Sequence, residues 1–229
     1  LGENGAGKST LMNVLSGVYR PDEGEVRLDG APHRFHTPAD ALTAGIGMVH
    51  QEFRLVPSFT VAENVVLGAA ERILRRQDVE VRVDELARRF GLATAPARPV
   101  WRLSMGERQR VEIIKALYRE CRLLILDEPT AVLTPQEVDE LFVILRKMAD
   151  DGRGLIFISH KLDEVLTLAD RITVLRDGRV SGETTPPATS KEELAQMMVG
   201  RPVQLAPDKA DVDPGPPRLT VTGLNVDGD

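Results

Sequence analysis

Gly2-Glu3-Asn4-Gly5-Ala6-Gly7-Lys8-Ser9 decides the fold, because it matches the pattern G-x-x-x-x-G-K-[ST] in full. Glycines let the backbone N–H groups of such a loop approach phosphate oxygens closely. The lysine then reaches the β- and γ-phosphates of a nucleoside triphosphate, and the serine hydroxyl can bind Mg²⁺. The stretch therefore predicts a P-loop and an α/β fold built around it.

Apolar residues after the loop predict a helix whose positive N-terminal end faces the same phosphates. They recur at i, i+3, i+4 and i+7, as Leu11, Val14, Leu15 and Val18. A P-loop normally follows a buried strand, and only Leu1 precedes it here. We therefore expect opening strands, and the residue that packs on the nucleotide base, to belong to a preceding segment.

The composition fits one sizeable α/β domain, or a domain and part of another. The net charge of −6 comes from mixed acidic and basic residues, so no global basic field points to nucleic acid. No secretory signal is visible, and no apolar run approaches the ~18 residues of a membrane span. Cys121 is the single cysteine, which excludes an intrachain disulfide and suits a reducing cytosol. We expect it to fill space beside a strand.

Two continuous apolar runs, 123–127 and 155–159, predict strands buried on both faces, as in a parallel sheet. A shorter strand is expected at 46–50, and Asp29-Gly30 predicts a hairpin turn. Between them, 53–99 is helical in pattern and rich in charge. Its arginine-rich part is expected to be a solvated helical face.

Asp127 and Glu128 close the first of these apolar runs, followed by Pro129-Thr130. An aspartate at this place in a P-loop enzyme holds Mg²⁺, and the next carboxylate can polarise an attacking water. A plain turn is the alternative. His160 ends the next strand and, taken alone, fits a strand-end residue or a ligand equally well. Leu103-Ser104-Met105-Gly106-Glu107 contains a helix capping box, which taken alone has only a structural role.

The order of these motifs resembles the ATP-binding domain of an ABC transporter, over essentially Leu1 to Gly200. The resemblance implies a P-loop NTPase core with a mostly parallel sheet and an inserted α-helical subdomain at about 53–110. It also implies ATP and Mg²⁺ as bound groups. The implied ATP-binding residues are Gly2, Asn4, Gly5, Ala6, Gly7, Lys8, Ser9, Thr10, Ser104 and Gly106.

The same resemblance implies roles for single residues. Ser104 and Gly106 would touch the γ-phosphate of ATP held by an opposite domain. Ser9, Gln51 and Asp127 would hold Mg²⁺. Glu128 would be the catalytic base, His160 would contact the γ-phosphate, and Gln51 would link the site to the helical subdomain. The sequence departs from the family pattern at Met105, Glu107 and Thr134, where a glycine, a glutamine and an aspartate are usual, so we expect binding to survive and communication between paired sites to be affected.

The amino-acid sequences of several segments resemble those of importers of simple sugars and nucleosides, in which two ATP-binding domains are fused. Segments 37–41, 45–52 and 55–64 resemble the sugar type, and 111–119 and 129–137 the nucleoside type. A proline-rich linker is expected at 201–217, and a second ATP-binding domain from Arg218, where 218–226 begins to alternate like a strand. The implied partners are transmembrane permease subunits and an extracytoplasmic substrate-binding protein, without nucleic acid. The implied location is peripheral, on the cytoplasmic face of the membrane.

Three alternatives remain open from the residues. A non-transport ABC ATPase acting on nucleic acid or ribosomes would carry basic arms or a long coiled coil, and neither is seen. A GTPase would need N-K-x-D where His160-Lys161-Leu162-Asp163 stands. A degenerate ATP-binding scaffold would have lost residues such as Lys8 and Glu128.

Overall fold

The computed structural model describes residues 1–69, 75–202, 215–216 and 219–223. Helices and strands alternate along most of this length, as the apolar periodicity predicts. In chain order the elements are α1 (Lys8–Leu15), β1 (Val26–Leu28), β2 (Ala31–His33), α2 (Pro38–Thr43), β3 (Ile46–Val49), α3 (Val61–Val66), α4 (Arg76–Phe90), α5 (Met105–Tyr118), β4 (Leu123–Asp127), α6 (Pro135–Asp150), β5 (Gly154–Ile158), α7 (Leu162–Leu168), β6 (Ile172–Arg176), β7 (Arg179–Thr184) and α8 (Lys191–Val199).

A parallel sheet in the order β3-β4-β5 forms the centre of the fold. Strand β4 lies between the other two, and its residues Leu124, Ile125 and Leu126 are buried, because helices cover both faces of the sheet. The carboxyl ends of parallel strands meet at one edge. The residues that follow β3, β4 and β5 therefore gather at that edge, and they include Gln51, Glu128 and His160.

Two antiparallel hairpins accompany the parallel sheet, β1 with β2 and β6 with β7. Asp29 and Asp177, each followed by a glycine, have positive φ angles of 52° and 51°. Such Asp-Gly turns twist in the sense that the paired strands need, so the hairpin predicted at Asp29-Gly30 is confirmed.

Helices α3, α4 and the first part of α5 form the helical region that the sequence predicts within 53–110. Val65, Val83, Phe90 and Ile114 are buried in one apolar cluster that joins these helices to the sheet. Arginines of α4 lie on its solvent side, where Arg88 is paired with Asp84 one turn away. The interpretation of this stretch as a solvated face is therefore confirmed for residues 76–89.

The apolar stripe expected after the P-loop is only partly correct. Helix α1 ends at Leu15, because Gly17 adopts a φ of +74° that breaks the helix. Val18 lies beyond that point and is 48% exposed, and Leu11 is 42% exposed. Met12 is the apolar residue of α1 that is buried in the core.

Leu1 lies alongside β6 in the manner of a neighbouring strand. Its amino group donates to the carbonyl oxygen of Thr173, and its own carbonyl accepts from the backbone N–H of Leu175, at 2.8 Å each. A cleft of about 570 Å³, lined mostly by apolar residues, runs between β5 and β6 beside it. The strand expected ahead of the P-loop stays a prediction.

The expected linker and second domain fall largely outside the described residues. Of the stretch expected to begin a strand, residues 219–223 are described and form none. Across the part of the chain that the structure describes, no helix combines the length and apolarity needed to cross a membrane. Cys121 is buried beside β3, as expected for a space-filling residue.

Candidate functional site

The P-loop connects Leu1 to α1 through two glycines in left-handed conformations, Gly5 at φ +84° and Gly7 at φ +93°. At Gly2 a larger residue would clash with the backbone, because a Cβ there would lie 2.5 Å from the carbonyl oxygen of Leu175. The carbonyl of Ala6 accepts from the N–H of Gly178 at 3.2 Å, which fastens the loop to the β6–β7 turn. The loop is thus held in shape by neighbours on its outer side.

Lys8 lies at the start of α1 and is only 9% exposed. Its ammonium group donates to the carbonyl oxygens of Gly2 at 2.7 Å and Glu3 at 2.9 Å. These contacts hold the charge of Lys8 across the concave side of the loop. In a loop of this kind, the lysine donates hydrogen bonds to the phosphate oxygens of a nucleotide.

One cavity of about 280 Å³ brings together most of the site residues predicted from sequence. It is open on one side to solvent, and the loop backbone, the start of α1 and the edge of the sheet form its walls. Its lining residues are Asn4, Gly5, Gly7, Lys8, Ser9, Thr10, Gln51, Asp127 and Glu128. Gly2 and Ala6 support the loop from outside this cavity.

Two adjacent carboxylates face this cavity at the end of β4. Burial raises the pKa of Asp127, the neighbouring Glu128 raises it further, and Lys8 opposes the shift. Paired carboxylates with only partial compensation from one lysine favour a bound cation. The cavity offers oxygen donors from the Ser9 hydroxyl, the Gln51 amide and the Asp127 carboxylate, which are ligands that Mg²⁺ accepts. These residues fit the predicted Mg²⁺ site.

Glu128 contacts His160 across the neighbouring strand ends. Its Oε1 lies 3.1 Å from Nδ1 of His160, and its backbone N–H donates to the carbonyl of Ile158 at 3.0 Å. Glu128 has a φ of +46°, which is uncommon for a residue with a side chain. Strained backbone of this kind persists where the surrounding structure holds it, often at functional sites.

Residues 103–107, called the signature segment below, lie at the N-terminus of α5, and the structure does not bring them into the cavity. Ser104 is the N-cap of α5, and its hydroxyl accepts from the N–H of Glu107 at 3.2 Å. The carboxylate of Glu107 accepts from the N–H of Ser104 at 2.8 Å, so the predicted capping box is confirmed. Gly106 is buried against Glu137, the first-turn glutamate of α6. Ser104 and Gly106 therefore do not complete the site within this chain's cavity.

Sequence reasoning missed a polar cluster behind Glu128 and His160, in which three residues are buried and the lysine is partly exposed. It consists of Thr130, Ser159, Lys161 and Glu164, which hydrogen-bond or pair with one another. The one signal in the sequence is the i, i+3 spacing of Lys161 and Glu164, which is common on solvated helices. Burial of Glu164 depends on how α7 packs, and local pattern does not reveal it.

This fold and this cavity define a P-loop nucleotide-binding protein of the α/β class. The family model for the ABC transporter matches residues 1–131. The chain therefore belongs to the ABC transporter family.

Two relatives and one solved structure illustrate the similarity. The chain is 47% identical to the glucose import ATP-binding protein TsgD13 of Haloferax volcanii, with 100% of this chain and 47% of the relative covered. It is 46% identical to the nucleoside import ATP-binding protein NupA of Lactococcus lactis, with 99% and 45% covered. The structure of cbiO1 from Clostridium perfringens, part of the ABC transporter complex cbiONQ, is 33% identical with a TM-score of 0.71, covering 87% of this chain and 79% of that one. The chain spans about half the length of the curated relatives it matches.

Proposed function

We propose that this chain binds and hydrolyses ATP to power the import of a simple sugar or a nucleoside through separate permease subunits. The single observation that carries the proposal is the shared cavity of Lys8, Ser9, Gln51, Asp127 and Glu128. It joins a triphosphate-binding loop to a carboxylate that is positioned to activate water. The printed names of the relatives, a glucose and a nucleoside import protein, support the transport role.

The P-loop amides and Lys8 bind the β- and γ-phosphates in this account. Ser9, Gln51 and Asp127 hold Mg²⁺, which supplies neutralisation of the charge on the phosphate oxygens. Lys8 already lies within the loop and contacts its carbonyls, so binding exchanges these contacts for phosphate oxygens. Electrostatic stabilisation of this kind requires little reorganisation when the reaction takes place.

Glu128 acts as the base in the hydrolytic step. A water oxygen forms a bond to the γ-phosphorus, the bond from that phosphorus to the β–γ bridging oxygen breaks, and Glu128 accepts the proton that the water loses. The products are ADP and inorganic phosphate. His160, 3.1 Å from Glu128, orients this carboxylate and contacts the γ-phosphate.

The site is composite in this account, because Ser104 and Gly106 lie outside the cavity. They face ATP held by a second ATP-binding domain, which begins near Arg218 after a linker at 201–217. Residues 1–200 then form the first domain. ATP hydrolysis between the two domains moves them apart again. The helical region, linked through Gln51, transmits this motion to the permease on the cytoplasmic face of the membrane. A substrate-binding protein on the other side delivers the cargo.

The test is ATP hydrolysis by the intact protein with its permease, comparing native protein with Glu128→Gln. We expect the variant to lose at least about 100-fold in kcat, the usual weight of a positioned base, with ATP affinity within about twofold of native. Glu120→Gln is the matched control, since Glu120 also has a positive φ, of 56°, and lies outside the cavity. Near-native turnover of Glu128→Gln would remove Glu128 as the base.

A further inference from the structure

We propose that Glu164 is a positioning residue that holds Glu128 and His160 in register for ATP hydrolysis. Glu164 lies in the first turn of α7 and touches neither the cavity nor its predicted ligands. It acts through the loops that follow β4 and β5. This inference rests on the proposed function, because the two residues that it positions are the proposed base and its histidine partner.

One carboxylate oxygen of Glu164 joins the two loops. Its Oε2 accepts from the hydroxyl of Thr130 at 2.7 Å and from the hydroxyl of Ser159 at 2.9 Å. Thr130 follows Glu128 by two residues, and Ser159 directly precedes His160. A single buried oxygen atom thus connects the chain segment of the base with that of the histidine.

Lys161 completes the cluster and supplies the opposite charge. Its ammonium group lies 2.9 Å from the other oxygen of Glu164, Oε1, and 3.2 Å from the carbonyl oxygen of Thr130. The backbone N–H of Lys161 donates to the Ser159 hydroxyl at 3.0 Å. His160 therefore lies between two residues that are both anchored to Glu164.

Burial strengthens the bonds of Glu164 to the two hydroxyls, while the lysine side chain is 43% exposed. Thr130 is 2% exposed, Ser159 3% and Glu164 8%, so water does not compete effectively for their hydrogen bonds. The side chain of His160, by contrast, is 53% exposed, and few contacts of its own restrain it. The geometry of the Glu128–His160 contact therefore depends on the loops on either side, and these depend on Glu164.

A purely structural role is the competing explanation, because a buried carboxylate with hydrogen bonds and a partly exposed lysine partner also affects stability. The two roles differ in their coupling to His160. A structural defect would lower activity by the same factor whether or not His160 is present. A positioning defect would cost little once His160 has been removed.

The experiment is a double-mutant cycle in the intact protein with its permease, using Glu164→Gln and His160→Ala. Glutamine retains one oxygen acceptor for the two hydroxyls but loses the charge that pairs with Lys161. We expect Glu164→Gln to lower kcat about 10-fold in the native background with ATP affinity within twofold. In the His160→Ala background, the further loss should be under twofold.

Glu112→Gln is the matched control. Glu112 is 6% exposed and has Lys115 three residues away, but its carboxylate accepts from the N–H of Arg54 rather than from Thr130 or Ser159. Its effect on kcat should be the same in both backgrounds. If Glu164→Gln does not fold, Ser159→Ala removes one of the two hydroxyl bonds. It should lower kcat about threefold in the native background and by a smaller factor in the His160→Ala background.

The outcomes separate the two proposals. Native protein without ATPase activity would remove the proposed function and this inference with it. If native protein is active, two results would overturn this inference alone. In the first, Glu164→Gln and Ser159→Ala lower kcat by the same factor with His160 and with His160→Ala. In the second, each variant weakens ATP affinity by as much as it lowers kcat.

Discussion

Gly106 packs directly against the carboxylate of Glu137, and this contact joins the signature segment to the first turn of α6. The same carboxylate accepts from the backbone N–H of Thr134 at 2.9 Å and from its hydroxyl at 3.1 Å. A Cβ atom on Gly106 would overlap the carboxylate. Helix α6 follows directly on the loop that begins at Glu128. Glu137 therefore connects the proposed base of this chain with the segment expected to face a second site.

We expect Glu137→Gln to lower ATP turnover by about three- to tenfold in the intact protein. Glutamine has one oxygen acceptor where the carboxylate has two, so an oxygen bonded to Thr134 leaves an NH₂ donor on the side that faces Gly106. Loss of a helix-capping interaction lowers the free energy of unfolding by about 0.5–2 kcal/mol, and this effect does not depend on how far the helix lies from the cavity. The measurement is kcat beside the melting temperature.

Glu193→Gln provides the control for this change. Glu193 forms the same capping box with Ser190 at the start of α8, away from the cavity. The two variants should lose comparable stability, while only Glu137→Gln loses turnover. Equal turnover in the two variants would contradict a connecting role for Glu137.

The buried carboxyl of Glu112 predicts a pH dependence of stability. Burial raises its pKa, although Lys115, Arg54 and Arg119 oppose the shift. The folded state therefore binds this proton more tightly than the unfolded state. The stability that results is fully present below the unfolded pKa of about 4.3 and is lost as the pH rises through the raised folded value.

Denaturant unfolding of native protein and Glu112→Gln between pH 4 and pH 8 tests this sign. Glutamine keeps an acceptor for the N–H of Arg54 but has no proton to lose. The free energy of unfolding of the variant, relative to native protein, should rise with pH and reach at least the native value at pH 8. A difference that falls with pH would show that pairing with Lys115 outweighs burial.

The thiol of Cys121 should be unreactive in the folded protein. It is 2% exposed, and burial raises its pKa to about 11. The thiolate fraction at pH 8 is then about 100-fold or more below that of a free cysteine, and both this loss and the burial of the thiol slow disulfide exchange. Labelling with an aromatic disulfide reagent, with and without urea, measures this. Native labelling as fast as unfolded labelling would contradict the packing of Cys121.

Much of the fold followed from local pattern. The run Leu123–Asp127 contains only apolar residues before its carboxylate, so a buried parallel strand was predictable, and the structure has one. The site edge followed from the same reasoning, because residues after parallel strands converge. The details of α1 did not follow, since Gly17 ends the helix before the expected stripe is complete.

The connections behind the site could not be predicted. Glu164 looks like a surface residue in sequence, and only the packing of α7 against the loop at Thr130 buries it. The contact of Gly106 with Glu137 joins residues whose helices the sequence does not orient. Such contacts depend on tertiary geometry rather than on spacing along the chain.

Uptake of labelled glucose, ribose and a nucleoside by the source cells tests the central claim most directly, with native protein compared with Glu128→Gln. Because hydrolysis at Glu128 is proposed to power import, the account predicts that the variant abolishes uptake of one of these compounds and leaves the others intact, which would also name the substrate class. Unchanged uptake of all three in the variant would contradict the claim that this chain powers the import of a simple sugar or a nucleoside.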